Sequence, residues 1–245
     1  MNPQRNVIYI QSGRCLTDIL NTIMRNEFKT ASDAFDYFYD HITEYGQSFA
    51  GTQALFNVGF TIENPLYRDI DAPWRKFNID YAEAEWQWYC SGDPNVDRLG
   101  AIHGFVPQVW KRMVDWKNEV RSNYGWQWER NNQLDKVVQQ LQENNETRQA
   151  AISIYDGKEI DTYRNDTPCT YAVQFTVVNN RLDMAVLMRS NDLWFGFCND
   201  QYCFSMLQQT VASRIGIDVG EYYHFAHNLH IYDNFLGRKP QQTII

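Results

Sequence analysis

Long apolar runs are missing from this sequence of 245 residues. No segment approaches the roughly 20 uninterrupted apolar residues of a membrane span, and the N-terminus lacks the basic-then-apolar layout of a secretory signal. These absences argue against a membrane protein and a secreted one. We expect a soluble protein of the cytoplasm, or of the host cytoplasm if a phage encodes it.

Basic residues are outnumbered, since 22 Lys and Arg against 30 Asp and Glu give a formal net charge of -8. A phosphate backbone favours an excess of Lys and Arg on one face, so direct binding to nucleic acid is not expected. A single nucleotide remains a candidate ligand, because one pocket needs only a few local cations.

Paired cysteines are also missing. The five cysteines are an odd number without CxxC spacing: Cys15, Cys90, Cys169, Cys198 and Cys203. This pattern suits neither a disulfide framework nor a structural zinc site. We expect reduced thiols, one of them chemically active, and interpret Cys198 and Cys203 as packing thiols.

Apolar and aromatic residues are plentiful, at 44% and 15% of the chain. They suffice for one continuous core, so the sequence predicts a single domain over residues 1–245, with 1–30 as an N-terminal addition. Within that addition, residues 7–10 are a short apolar run and residues 16–24 have a helical pattern.

Local patterns then predict a helix capped by Ser32, a strand over 54–62 and an aromatic-rich helix over 81–90. Pro107 begins a further helix, which we expect to reach Val120. Apolar residues at helical spacing predict another helix over 134–141.

Strands dominate the pattern further on. Residues 170–178 and 182–188 are rich in β-formers and are joined at Asn179-Asn180, which predicts a tight hairpin. A helix over 200–215 is expected to end at Gly216, before a last strand over 221–232.

Three histidines in that last strand, His224, His227 and His230, would gather metal ligands if they stood on a helix. On a strand, alternate positions point to opposite faces. We therefore predict no metal site.

Cys169 is the strongest candidate for a chemical role. Thr167-Pro168 places it at a rigid turn just before a strand. A thiol with a pKa of about 8.5 needs nearby positive charge to act as a thiolate at neutral pH, and Arg189, at the end of the paired strand, is the candidate cation. Taken alone, the segment also fits a turn cysteine without a role.

Several motifs resemble those of thymidylate synthases in order and spacing. They are Glu85 with Gly92-Asp93, the segment Tyr124-Gly125-Trp126-Gln127-Trp128, Pro168-Cys169, Arg189-Ser190-Asn191-Asp192 with Gly196, and His230-Ile231-Tyr232. The resemblance covers residues 54–234. It implies an α+β thymidylate synthase fold, a large twisted mixed β-sheet covered by helices, with one sheet face forming a homodimer interface.

Asp200 sets the chain apart within this superfamily, because it stands where thymidylate synthases carry the asparagine that reads uracil. Cytosine offers an amino donor that a carboxylate accepts, whereas uracil offers an O4 acceptor that a carboxylate repels. Together with Cys169-Thr170 in place of the usual Cys-His, this resembles the phage deoxycytidylate hydroxymethylases, so the predicted substrate is dCMP. Alternatively, Asp200 caps the helix that begins there.

The resemblance implies a mechanism and a role for each motif residue. Cys169 adds to C6 of the pyrimidine, C5 takes the one-carbon unit of 5,10-methylenetetrahydrofolate, and water quenches the resulting methylene. Glu85, Tyr124 and Asp200 act in proton transfer. The implied nucleotide-binding residues are Arg189, Ser190, Arg148, His230, Tyr232 and Gln174, with Arg148 donated across the dimer; the implied folate-binding residues are Asp192, Gly196 and Trp110.

The implied phosphate site has fewer arginines than is usual in the family. Arg148-Gln149 stands where two arginines are usual, residues 46–51 contain none, and Arg164 is a candidate substitute. The segment after Tyr232 is shorter than in thymidylate synthases, which fits quenching by water.

Three alternatives stay open: a CMP hydroxymethylase, a cytidylate methylase of the same fold, and an inactive nucleotide-binding relative. The inactive relative is disfavoured because Cys169, Glu85, Asp192 and Asp200 are all present.

Overall fold

This computed structural model describes residues 26–163 and 165–240. A mixed β-sheet forms the centre of this part of the chain. Its strands are β1 (Glu27–Phe28), β2 (Gln47–Phe49), β3 (Thr52–Ile62), β4 (Ala151–Ser153), β5 (Thr170–Val178), β6 (Arg181–Met188), β7 (Asn191–Asp192) and β8 (Asp218–Tyr232). The order is β1-β3-β8-β6-β5-β4, with β2 beside β3 and β7 beside β8. The pairs β1/β3, β6/β8 and β7/β8 are parallel, and the others are antiparallel.

Helices cover one face of this sheet. They are α1 (Ala31–Tyr45), α2 (Ile79–Cys90), α3 (Val96–His103), α4 (Gln108–Met113), α5 (Tyr124–Glu129), α6 (Gln133–Glu143) and α7 (Cys198–Ile215). Helix α1 packs on β3, α7 packs on β6 and β8, and α2 lies against α7. The predicted α+β class, a large mixed sheet covered by helices, is confirmed.

Alternation along the strands separates a covered face from an open one. On β5, Val173 and Phe175 are fully buried towards the helices, whereas Gln174 and Thr176 point the other way and are partly or largely exposed. Tyr223 on β8 belongs to the same open face and is 40% exposed.

The hairpin predicted at Asn179-Asn180 is confirmed between β5 and β6. Both asparagines adopt left-handed backbone angles, with φ of 50° and 60°, which a two-residue turn between right-twisted strands requires. The pairing puts Thr170 opposite Met188, so Cys169 and Arg189 lie side by side.

Two predicted helix boundaries were wrong. Thr30, not Ser32, is the N-cap of α1, because the Thr30 and Asp33 side chains bond reciprocally to each other's backbone N–H groups. The helix after Pro107 ends at Met113 and does not reach Val120. Asp115 ends it by accepting backbone N–H bonds from the residues that follow, a local turn that competes with helix.

The other predicted elements in the described residues are confirmed: the strands over 54–62, 170–178, 182–188 and 221–232, and the helices over 81–90, 134–141 and 200–215. Gly216 ends α7 with φ of 77°. The segments 7–10 and 16–24, Cys15 and Arg164 lie outside the described residues. The single domain and its N-terminal addition stay predictions. None of the described helices is long and apolar enough to cross a membrane.

Candidate active site

Cys169 and Arg189 meet at the start of the β5–β6 hairpin. The Arg189 guanidinium donates from Nε to the Pro168 carbonyl at 3.0 Å and from Nη2 to the Thr167 carbonyl at 2.8 Å. The same Nη2 lies 3.6 Å from the Cys169 sulfur. The predicted proximity of cation and thiol is therefore present, and Arg189 also holds the turn that presents the thiol.

Arg189 was expected to lower the pKa of Cys169, but the environment as a whole raises it. Burial raises the pKa of the Cys169 thiol to about 11, and this outweighs the lowering by Arg189. The carboxyl groups of Asp200, Asp166 and Asp192 raise it further. In the free protein the thiol is protonated at neutral pH, so the proton must leave during attack.

Asp200 lies in the first turn of α7, but it does not cap the helix. Its Oδ2 accepts a hydrogen bond from the Asn191 side-chain amide at 2.8 Å. No side chain caps α7 itself. Asp192 caps the short helical turn Leu193–Phe197 that leads into α7, by accepting N–H bonds from Trp194 and Phe195 at 3.0 Å each. The capping alternative for Asp200 was therefore wrong. Burial first, and then the Glu85 charge, raise the pKa of Asp200 well above its usual range.

Gly196 makes room for this arrangement. A Cβ atom there would lie 3.0 Å from the Asn191 amide nitrogen and 3.5 Å from Oδ2 of Asp200. The missing side chain lets the amide and the carboxyl meet beside the backbone.

Glu85 faces Asp200 from α2. Its side chain is buried, and Oε1 accepts a hydrogen bond from the Tyr89 hydroxyl at 2.8 Å. Oε2 is buried without a partner among the described residues. Burial raises the pKa of Glu85 to about 7, which lets the group gain and lose a proton near neutrality.

Tyr124 begins α5, close to the Asp200 carboxyl and the Cys169 thiol. Burial raises the pKa of its phenol well above the usual value, so Tyr124 is a neutral hydrogen-bond donor. The next residue, Gly125, fixes the approach of α5 to α2, since a Cβ there would lie 1.8 Å from the Tyr89 carbonyl oxygen.

His230 and Tyr232 share one face at the end of β8, with their rings 5.4 Å apart. Burial lowers the pKa of His230, so the imidazole is neutral. Its Nδ1 lies 2.8 Å from the side-chain oxygen of Asn228, which leaves Nε2 as an acceptor when Nδ1 carries the proton. Asp192 pairs with His230 in the β7–β8 ladder and so lies next to it.

The thymidylate synthase family model matches residues 50–243, well over half of the sequence. That span contains every site residue described above. The chain belongs to the thymidylate synthase family. The resemblance noted in the sequence is thereby confirmed.

Phage hydroxymethyltransferases are among its similar relatives. The chain is 29% identical to the deoxyuridylate hydroxymethyltransferase of Bacillus phage SP01 over an alignment of 207 residues that covers 76% of the chain and 52% of that protein. It is 34% identical to the deoxycytidylate 5-hydroxymethyltransferase of Enterobacteria phage T4 over 131 residues, 50% of the chain and 52% of that protein. The chain thus spans about half the length of the curated relatives it matches, and their names differ in the base.

Most of the motif residues of this family member converge, but not all of them do. Ser190 is half-buried beside Arg189, and Trp110 on α4 donates its indole N–H to the Tyr81 hydroxyl at 2.7 Å. Arg148 is exposed in the loop between α6 and β4, and no described residue pairs with it. Gln174 lies on the open face of the sheet, in a depression it shares with Tyr223, and is not brought to Cys169.

Sequence reasoning assigned no role to several residues that shape the site. Asn191 holds Asp200 and Asn228 holds His230. Asn228 stands two residues from His230, which was a usable signal, whereas Asn191 is nine residues from Asp200. Asp166 accepts hydrogen bonds from the Ser122 backbone and hydroxyl, at 2.7 and 2.9 Å. This bond ties the segment before Cys169 to the start of α5, and no local pattern predicts it.

The histidines of β8 alternate as expected. His224 is buried beside Tyr222, whereas His227 points to the open face and bonds Asn57 at 2.8 Å. Across residues 26–163 and 165–240, no group of three or more acidic, histidine or cysteine side chains is arranged to hold a metal ion.

Proposed function

We propose that this chain is a deoxycytidylate 5-hydroxymethyltransferase, which transfers the one-carbon unit of 5,10-methylenetetrahydrofolate to C5 of dCMP. The family acts on pyrimidine nucleotides, and the similar phage proteins are named as hydroxymethyltransferases of either deoxycytidylate or deoxyuridylate. The observation that carries the choice of cytosine is the carboxyl group of Asp200, held by Asn191 within the site.

Asp200 suits cytosine in both of its protonation states. As an anion it accepts from the N4 amino group, and as an acid it donates to N3. Its raised pKa favours the acid form in the empty site, which supplies a proton where negative charge builds on the ring during attack at C6. Uracil presents N3–H and an O4 acceptor instead, so a carboxylate oxygen would face another acceptor at O4 and be repelled by it.

Cys169 is the proposed nucleophile. Its sulfur bonds to C6 while its proton passes to a nearby acceptor, and C5 then bonds to the methylene carbon of the folate as one of that carbon's two bonds to nitrogen breaks. Loss of the C5 proton, with cleavage of the second carbon–nitrogen bond, releases tetrahydrofolate and gives an exocyclic methylene. Water adds to that methylene and the C6–S bond breaks, which restores the aromatic ring and the free thiol without any change of oxidation state at the folate.

Glu85 is the proposed carrier of these protons. With a pKa of about 7 it takes up a proton in one step and returns it in another without a large free-energy cost. Its unpartnered Oε2 is the atom available for the exchange.

The remaining residues fit the phosphate, the sugar and the folate. Arg189 keeps Nη1 free of the bonds that hold the turn and is suited to phosphate. His230 offers Nε2 to the sugar 3'-hydroxyl, with Tyr232 beside it. The aromatic wall at Trp110, and Asp192 fixed by backbone N–H groups, suit the flat, donor-rich pterin of the co-substrate.

The test is product analysis by mass after separate incubation with dCMP, CMP and dUMP, each with 5,10-methylenetetrahydrofolate. We expect dCMP to gain CH2O and to be preferred over dUMP. A gain of CH2 alone would replace quenching by water with reduction, preference for CMP would move the function to a ribonucleotide, and equal turnover of dUMP would contradict the role of Asp200. Nucleotide binding without any product would favour the inactive relative.

We also propose a homodimer joined through the open face of the sheet, with Arg148 reaching the partner's phosphate site. Support comes from the exposed Tyr223 and Val178 on that face and from the exposed Arg148, which has no described partner. A random mixture of Cys169→Ala and Arg148→Ala protomers should recover about one quarter of wild-type activity, because half of the dimers carry one intact site. Activity equal to the mean of the two separate variants would contradict a shared site.

A further inference from the structure

Two tyrosines flank Glu85 on the same face of α2. Tyr81 and Tyr89 stand four residues before and four residues after it, so the three side chains stack along the helix. The Tyr89 hydroxyl donates to Oε1 at 2.8 Å. The Tyr81 hydroxyl lies near the same carboxyl and, like Tyr89, lowers its pKa by stabilising the anion. Oε2 is buried and has no hydrogen-bond partner among the described residues.

The direction of these bonds is fixed by Trp110. Its indole N–H, which can only donate, gives its hydrogen bond to the Tyr81 oxygen at 2.7 Å. Tyr81 must therefore direct its own proton elsewhere, and the Glu85 carboxyl, whose pKa it lowers, is the nearby acceptor. Burial raises the pKa of Tyr81 and of Tyr89 well above the usual value, so both phenols remain donors throughout the working pH range.

We infer that Tyr81 and Tyr89 are positioning residues for Glu85: Tyr89 holds Oε1, both phenols stabilise the carboxylate, and Oε2 is left to carry the exchanged proton. This inference rests on the proposed function only for the identity of the substrate. A carboxyl oxygen that already accepts a hydrogen bond is a poorer site for the proton than one without a partner, so the acid form carries it on Oε2.

The pair also sets the balance of charge around Glu85. Burial disfavours the anion of Glu85. The other titratable groups around it add no positive charge: they are Asp200 and Cys203 on α7 and Tyr124 on α5. The two phenols are the groups that stabilise the carboxylate. They oppose burial, and the pKa of Glu85 lies at about 7 as a result.

The experiment is a carboxyl-carbon NMR titration of Glu85 in the full chain, with Glu85→Gln to assign the signal. Tyr81→Phe and Tyr89→Phe each remove one donor to the anion, so each should raise the pKa of Glu85, by about one pH unit. At pH 7 the ionised fraction should fall from about one half to about one tenth. No shift in either variant, or a downward shift, would overturn the inference.

Tyr202→Phe is the matched control. Tyr202 lies on α7, and its hydroxyl donates to Glu83 of α2 at 2.8 Å. Glu83 is on the face of α2 that points away from Glu85. Tyr202→Phe should leave the titration of Glu85 unchanged. A shift of similar size in this variant would assign the effect to general loosening of α2 and would count against a specific role for the pair.

Turnover of dCMP supplies a second arm. If the tyrosines position Glu85, ionisation of Glu85 determines one limb of the pH profile of kcat. In Tyr81→Phe and Tyr89→Phe that limb should move to higher pH by the same amount as the NMR titration, so the rate recovers at higher pH. Equal loss at every pH would indicate a structural role only and would contradict the inference. If the wild-type protein leaves dCMP unchanged, the proposed function fails, while the NMR titration still decides the role of the tyrosines.

Discussion

An Asp200→Asn variant is expected to prefer dUMP over dCMP, with the ratio of the two kcat/KM values changing on the order of 10⁴-fold. The amide offers an N–H donor to O4 of uracil, where the carboxyl group offers its acceptor to the amino group of cytosine. Asn191 makes the exchange clean, because the donor that now binds Oδ2 of Asp200 can hold the amide oxygen of the new asparagine. The new N–H2 group is thereby directed to the base.

The measurement is kcat/KM for both nucleotides with saturating 5,10-methylenetetrahydrofolate. Asp135→Asn is a suitable control, because it makes the same exchange at a surface carboxyl group of α6, which pairs with Arg214 away from the site. Asp135→Asn should keep the preference for dCMP. If Asp200→Asn also keeps it, the base is read by another residue and the assignment of cytosine loses its main support.

A Cys169→Ala variant is expected to lose turnover on the order of 10⁴-fold or more while it still binds nucleotide. Without sulfur no bond to C6 forms, and C5 never becomes nucleophilic. The site should otherwise persist, because Arg189 holds the turn through the carbonyl groups of Thr167 and Pro168 and not through the thiol alone.

Product formation and nucleotide binding should be measured on the same preparation. Cys90→Ala is the control, since Cys90 is an exposed thiol at the end of α2 and should be dispensable. Substantial turnover by Cys169→Ala would remove covalent catalysis from the proposal. Loss of nucleotide binding together with turnover would instead indicate a structural role for Cys169.

Much of the fold was predictable because its signals are local. Asn179-Asn180 predicted the hairpin, and Gly216 predicted the end of α7, since both depend on backbone angles that few residues adopt without strain. The two wrong helix boundaries also have local causes, because in each case one side-chain interaction with the backbone outcompeted the predicted one. Thr30 displaced Ser32 as the cap because Asp33 completes a reciprocal pair, and the Asp115 turn ended α4 early.

The candidate site was predictable to a different degree. Motif resemblance identified Cys169, Arg189, Glu85, Tyr124 and Asp200, and the fold brings these residues together. Their roles, the dimer and the part of Arg148 remain predictions for the experiments above. Asn191 and the Tyr81–Tyr89 pair carried only weak signals in the sequence, because a side chain's partner depends on which elements pack together.

The sequence by itself determined the family, the longer strands and most of the longer helices, and the presence of a thiol, a cation and two carboxyl groups at fixed spacings. Only the tertiary structure decided how those groups ionise. Burial raises the pKa of Cys169 to about 11 despite Arg189, and raises that of Glu85 to about 7. The physical reason is that desolvation depends on everything packed around a group, and the chain acquires that environment only when its distant segments meet.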